Sequence, residues 1–171
     1  MFAFNATYAY APPGTTRIKI NNQVCYVDKT EIKNIDWKEF VWSLANCEKA
    51  PADYVQKMQI DSVIWKQHYG QYDIRETGNL PAIGITLEQA KAYCEWRSQV
   101  VNIKYEKKQK VQYSLITEEQ YQYFSTDNKI LKKLNNKNAE LTATGTLFLN
   151  DAIIPINQNT CVTFRCIAVF E

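Results

Sequence analysis

The chain has 171 residues, of which 46% are hydrophobic and 22% charged, so one globular domain with a core of ordinary size is expected and a disordered chain is not. Twenty basic residues against eighteen acidic ones leave a formal charge of +2, too little for the long-range field that gathers nucleic acid or an anionic membrane. The one concentrated run of charge, Lys104 to Lys110, is offset by Glu106 and reads as a solvated turn.

No run approaches the roughly eighteen apolar residues of a membrane helix, so no membrane span is expected. Tyr8-Ala9-Tyr10-Ala11 before Pro12 is similar to the cleavage site of an export signal, but no basic segment precedes it. Residues 1–16 are set apart as an N-terminal segment, either the remnant of an export signal or a chance likeness to one, and residues 17–171 as a single domain. From Arg17 the pattern is β: Arg17 to Ile20, a turn at Asn21-Asn22, then Gln23 to Asp28, with Cys25 in the second strand. A helix capped by Asn34 or Asp36 follows to about Asn46, burying Trp37, Phe40, Val41 and Leu44.

Between Lys49 and Leu80 the periodicity is weak, and the segment reads as an ordered excursion with one short strand near Ile60 to Trp65. Its aromatic residues Tyr54, Trp65, Tyr69 and Tyr72, with the only histidine, His68, form the candidate binding surface. Core or rim packing competes with that reading for the aromatics, and an exposed or stacking role for His68 outweighs catalysis because no nucleophile or acid is placed near it.

The best-patterned stretch runs from Leu80 to Ser98. A proline stop and a short strand lead into Thr86, whose partner Gln89 completes a capping box. Leu87, Ala90, Cys94 and Val101 then form one helical stripe, widened by Tyr93, Trp96 and Val100, and Cys94 faces inward. Val111 to Leu115 reads as a strand. A second capping box, Thr117 with Gln120, opens a helix to about Ser125, and a short helix or loop is expected over 128–138. The tail reads as strands from Leu141 to Leu149, from Ala152 to Ile156 after the turn at Asn150-Asp151, and from Cys161 to Phe170.

Five cysteines without a Cys-x-x-Cys pair, beside one histidine, give no zinc signature, and no metal or cofactor is expected. Their spacing is compatible with buried free thiols and with disulfides alike. No cluster of the kind that binds calcium together with a sugar is present.

Four segments in order resemble the formylglycine-generating enzymes, the sulfatase-modifying family, whose fold is a variant of the C-type lectin fold. Val27 to Phe40 is similar to the family's opening motif. Leu80 to Trp96 resembles its Pro-Val-x-x-Val-Ser-Trp-x-x-Ala-x-x-Tyr-Cys-x-Trp segment, and Tyr113 to Tyr121 its Arg-Leu-Pro-Thr-Glu-x-Glu-Trp segment. Phe164-Arg165-Cys166 is similar to its closing Gly-Phe-Arg-Cys. The resemblance implies an α+β, C-type-lectin-like single domain with two main helices and short antiparallel strands. It also implies a disulfide between Cys94 and Cys166.

The departures bear on function. Ser114 stands in place of the family's Arg, Ile116 of its Pro, Tyr121 of its Trp and Thr163 of its Gly. Only about forty-five residues separate Thr117 from the closing motif, and the segments that carry the family's active cysteine pair are missing. The copper-dependent oxidation that the resemblance would imply needs two thiolates on one soft Cu(I) ion. Cys161 and Cys166 are the one close pair, and read on a continuous strand they point to opposite faces. Thiols at Cys25, Cys47 and Cys161 are expected to be inert. A looser likeness of the first third to cell-envelope proteins of Bacteroidetes-type bacteria implies export to the periplasm or cell surface.

The leading expectation is a non-catalytic module of the bacterial cell envelope that binds a protein or glycan. The alternatives are a copper- or thiol-dependent oxidoreductase with a rebuilt cysteine site, and a glycan- or peptide-binding lectin-like domain.

Overall fold

The computed structural model describes residues 11–70, 74–105, 110–126, 138–149, 152–154 and 162–170. The chain opens with an antiparallel hairpin of β1 (Thr15–Ile20) and β2 (Gln23–Asp28). Asn21 and Asn22 turn it at φ 45° and 68°, the left-handed pair that a two-residue hairpin requires and that Asn tolerates.

Helix α1 (Asn34–Asn46) starts after Lys33, and its cap differs from the expected one. Asn34 is the first helical residue, and it is Asp36 at the third position whose Oδ2 accepts from the Lys33 N–H at 3.1 Å. The buried stripe is Trp37, Phe40 and Leu44, with Val41 half-buried.

The excursion corrects the sequence reading most. In place of a strand near Ile60 to Trp65, three short helices carry the chain: α2 (Ala52–Lys57), α3 (Ser62–Tyr69) and α4 (Ile74–Thr77). Asp61 caps α3, its Oδ1 accepting from the N–H groups of Val63 at 2.8 Å and Ile64 at 3.2 Å. The strand expected before the next helix is a single bridge between Lys33 and Pro81. Gly84, at φ +70°, breaks extended backbone there, and a Cβ on it would press on Asp61 O and Ile64 Cβ at 3.3 Å.

Helix α5 (Leu87–Tyr105) begins as its capping box requires: Thr86 N–H donates to Gln89 Oε1 at 2.8 Å, and Gln89 N–H donates to Thr86 Oγ1 at 3.2 Å. Strand β3 (Val111–Leu115) returns antiparallel to the long helix, and Asn102 ties the connection by bonding both backbone groups of Val111. Helix α6 (Glu118–Thr126) follows the second capping box, Thr117 with Gln120.

The tail is more broken than its pattern predicts. Leu141 to Leu149 is two strands, β4 (Ala139–Leu141) and β5 (Leu147–Leu149), joined by a turn in which Thr142 Oγ1 lies 2.8 Å from Thr146 Oγ1 and Gly145 takes φ +87°. Strand β6 (Ala152–Ile154) pairs with β5, and Cys161 to Phe170 divides into β7 (Val162–Thr163) and β8 (Cys166–Phe170). The division falls at Phe164-Arg165 because the Phe164 carbonyl accepts from the Ile32 N–H while the Arg165 side chain turns into the core. Cys161, the expected turn at Asn150-Asp151 and the segment 128–137 lie outside the described residues.

One sheet has the order β1-β2-β8-β3 and is antiparallel throughout; the other has the order β6-β5-β4-β7, with β4 and β7 parallel. In the first sheet the central strands β2 and β8 contribute to a core on each face, while the edge strands β1 and β3 expose alternate residues such as Lys19 and Gln112. Tyr26, Tyr113, Leu115, Cys166 and Ala168 pack beneath α5 and α1, while Ile18, Cys25, Val27 and Ile167 pack on the other face against Tyr121 and Phe124 of α6 and Phe148 of β5. Alternate residues of β2 and β8 thus feed two cores, as the period of two along a strand dictates. The architecture is α+β, and among the described residues no helix is long and apolar enough to cross a membrane.

Candidate functional site

Helix α1 carries its buried stripe on one face and stands over α2 and α3 on another. Between them lies a groove of about 410 Å³. Two tryptophans meet it with their polar atoms occupied: Trp37 Nε1–H donates to the Met58 carbonyl at 3.1 Å, and Trp65 Nε1–H donates to Asn34 Oδ1 at 3.2 Å. Asn34 in turn donates from Nδ2 to the Thr77 carbonyl, so one amide holds α1, α3 and the end of α4 together. Such a floor is rigid, because each buried N–H has an acceptor and the indoles cannot turn without losing it.

The rim is different. Trp42 is 58% exposed, an unusual place for so large an apolar surface on a short helix. Val41, Val55 and Ile60 continue the apolar wall, and Lys38 and Lys66 stand over it. Among the described residues no carboxylate lines the groove. The arrangement favours an apolar group flanked by negative charge.

The described members of the sequence-predicted surface, Tyr54, Trp65, His68 and Tyr69, do not share one exposed face. Trp65 is a correction: at 1% exposed it is a floor and cannot present its ring. Tyr69 is half-buried and donates its hydroxyl to the Pro81 carbonyl at 2.8 Å. His68 is exposed and stacks edge-on against Tyr69, with the ring centres 4.8 Å apart. Tyr54 is exposed on α2 but does not line the groove, and Tyr72 lies outside the described residues. Trp42, Lys38 and Lys66 were not anticipated. A signal for Trp42 was available, since it falls off the Trp37, Phe40, Leu44 stripe of its own helix.

On the other side of α1 the structure brings Cys94 and Cys166 together as thiols, with Sγ atoms 3.3 Å apart. Cys94 comes from the inward stripe of α5, and Cys166 opens β8 opposite Leu115. Burial, and then the hydrogen bond with Cys94, push the Cys166 thiol well above the ordinary range. Asp28 braces the same spot: it accepts from Cys166 N–H at 2.9 Å and from both terminal nitrogens of Arg97, whose guanidinium also lies 4.2 Å over the Tyr113 ring. Among the described residues no group of acids, cysteines and histidine is arranged to hold a metal ion. In the reduced native protein iodoacetamide is expected to modify exposed Cys47 while Cys25, Cys94 and Cys166 react only on unfolding; labelling followed by peptide mapping reads this directly.

The sequence model of the Sulfatase-modifying factor enzyme 1-like domain matches residues 4–137, covering the hairpin, the groove and both capping boxes. The chain belongs to this family. No curated protein and no solved structure matches it significantly. The matched region of this sulfatase-modifying-factor-like chain stops short of β4, so Phe164-Arg165-Cys166 is joined to it by the structure. Cys166 N–H on Asp28 and the Phe164 carbonyl on Ile32 N–H make that connection.

Proposed function

We propose that this chain is a non-catalytic, exported member of the sulfatase-modifying-factor-like family that acts as a binding module at the bacterial cell envelope. Its recognition surface on this reading is the groove between α1 and α3, and the occupant is a partner segment with an apolar side chain flanked by carboxylates. The observation that carries the reading is Trp42, 58% exposed on an apolar groove whose described lining residues include two lysines and no acid. An exposed aromatic beside a desolvated pocket is the usual composition of a binding hot spot. Support for export comes from Cys94 and Cys166, placed where oxidation would join them.

The test is fluorescence anisotropy with labelled peptides carrying Leu or Phe between acidic residues, against the same peptides with lysines. The acidic set is expected to bind more tightly, with Trp42→Ala weakening it roughly thirtyfold, a loss of about 2 kcal/mol. Lys38→Glu is expected to reduce binding and its dependence on salt. Equal binding of both sets, or an unaffected Trp42→Ala protein, would remove the groove from the account. Copper-dependent oxidation of a cysteine-bearing peptide by the reduced protein would establish an oxidoreductase instead.

A further inference from the structure

A second cavity, of about 390 Å³, opens on the opposite flank of α1, between the start of that helix and α5. Its chemistry is the reverse of the groove's. Glu31, Asp36 and Glu39 line it against Lys33, while the Asp28 carboxylate and the Arg97 guanidinium at its base neutralise each other at 2.7 and 2.8 Å. Among the described lining residues, three carboxylates against one uncompensated ammonium leave the cavity net negative. The cations already present are committed: Lys33 Nζ donates to Asn79 Oδ1 at 3.3 Å, and Arg97 also reaches the Pro13 carbonyl at 3.4 Å. An anion would therefore find little here to bind it.

Tyr93 supplies the observation that points to a guest. Its side chain is 4% exposed, held by stacking on Trp37 at 5.7 Å and by edge contacts with Phe40 and Phe164, yet it lines the cavity and its hydroxyl bonds to no described residue. The ring is enclosed, but the hydroxyl is not among the fully buried unpartnered atoms of the described residues, so it stays accessible from the cavity with its bonding capacity unused by the protein. Burial, the largest influence on it, keeps this phenol neutral, with both a proton to donate and lone pairs to offer. Trp96 completes the wall, fixed by its own N–H on Ser43 Oγ at 3.0 Å. Glu31 accepts from Asn138 through one oxygen and Asp36 from Lys33 N–H through one, so each keeps a second oxygen for a guest; Glu39 is exposed.

We infer that this cavity is a binding site for an organic cation, an alkylammonium or guanidinium group. Carboxylates receive its N–H donors, the Tyr93 hydroxyl accepts one more, and the aromatic wall favours positive charge. The group can belong to a free small molecule or to a lysine or arginine side chain of a partner. The site is independent of the α1–α3 groove, which lies on the other face of α1 and carries the opposite charge.

The test titrates the full chain with ethylguanidinium chloride, against sodium chloride at matched ionic strength, following the Trp96 indole resonance. A saturable shift at Trp96 with none at Trp42 is expected. Glu39→Gln, on an exposed position, and Tyr93→Phe, which keeps the ring, are each expected to weaken binding threefold or more, with a thermal melt confirming that each variant is folded. A blocked Gly-Arg-Gly peptide separates the sources: tighter binding than ethylguanidinium assigns the site to a partner's side chain, and equal or weaker binding to a free cation. Absence of a saturable shift at matched ionic strength, or unchanged affinity in both folded variants, overturns the inference.

Discussion

Replacing Arg165 by methionine is expected to destabilise the protein by about 3–5 kcal/mol, the cost of leaving a buried carboxylate without its counterion. Arg165 and Glu140 are both fully buried and meet twice, Nε–H to Oε2 at 2.7 Å and Nη2–H to Oε1 at 2.5 Å. The Tyr121 hydroxyl donates to the same Glu140 at 2.5 Å, and Arg165 Nη1 donates to the carbonyls of Asp28 and Lys29 at 3.2 and 3.4 Å. One guanidinium thus fastens the closing segment to β4 and to the end of β2. Adding Glu140→Leu to Arg165→Met is expected to recover part of the loss, because a buried pair replaced by apolar groups no longer strands a charge. Urea unfolding of the two variants checks both statements. A single variant within 1 kcal/mol of the wild type, or a double variant no better than the single, would show that the network contributes little.

The second large effect is redox. Oxidation of Cys94 and Cys166 to a disulfide is expected to stabilise the fold by about 4 kcal/mol through the loop it closes in the unfolded chain. The partners are 72 positions apart in sequence and 3.3 Å apart in space, so little native rearrangement opposes the bond. A non-reducing peptide map of the air-oxidised protein gives the pairing, and urea unfolding of oxidised and reduced protein gives the gain. Two free thiols after oxidation, or no difference between the two forms, would contradict it. Reduced protein has a further expectation: burial raises the Cys166 thiol in the fold, so stability present below the unfolded thiol's range is lost as pH rises toward the folded value.

How legible the molecule is depends on how local the cause is. Thr86 with Gln89 and Thr117 with Gln120 place two helix starts because their reciprocal bonds span three residues. Asn21-Asn22 places the hairpin for the same reason, and the alternation of Phe164, Cys166 and Ala168 finds the inward face of the tail. Asp61 was passed over because Ile64 stands where a capping box has Glu or Gln, and Ile60, Val63, Ile64 and Trp65 together imitate a strand. The break at Arg165 has its cause 25 positions away in Glu140, beyond any local pattern.

The groove is the least legible part. Trp42 can be seen to leave the buried stripe of α1, but its 58% exposure depends on α2 and α3 leaving it uncovered. Those helices are themselves the segment whose periodicity is weakest. Of the aromatic and histidine positions singled out from sequence that lie among the described residues, Trp65 alone lines the groove, as buried floor.

The four tryptophans provide the most direct test of the groove as the recognition surface. Trp37, Trp65 and Trp96 each donate their indole N–H inside the protein, to the Met58 carbonyl, Asn34 Oδ1 and Ser43 Oγ, whereas Trp42 stands exposed at the rim. In a proton–nitrogen correlation spectrum, an acid-flanked Leu or Phe peptide is expected to shift the Trp42 indole resonance saturably, with smaller shifts at Trp37 and Trp65 beneath it and none at Trp96. A saturable shift at Trp96 with Trp42 unmoved, or no saturable shift at any of the four, would contradict the account.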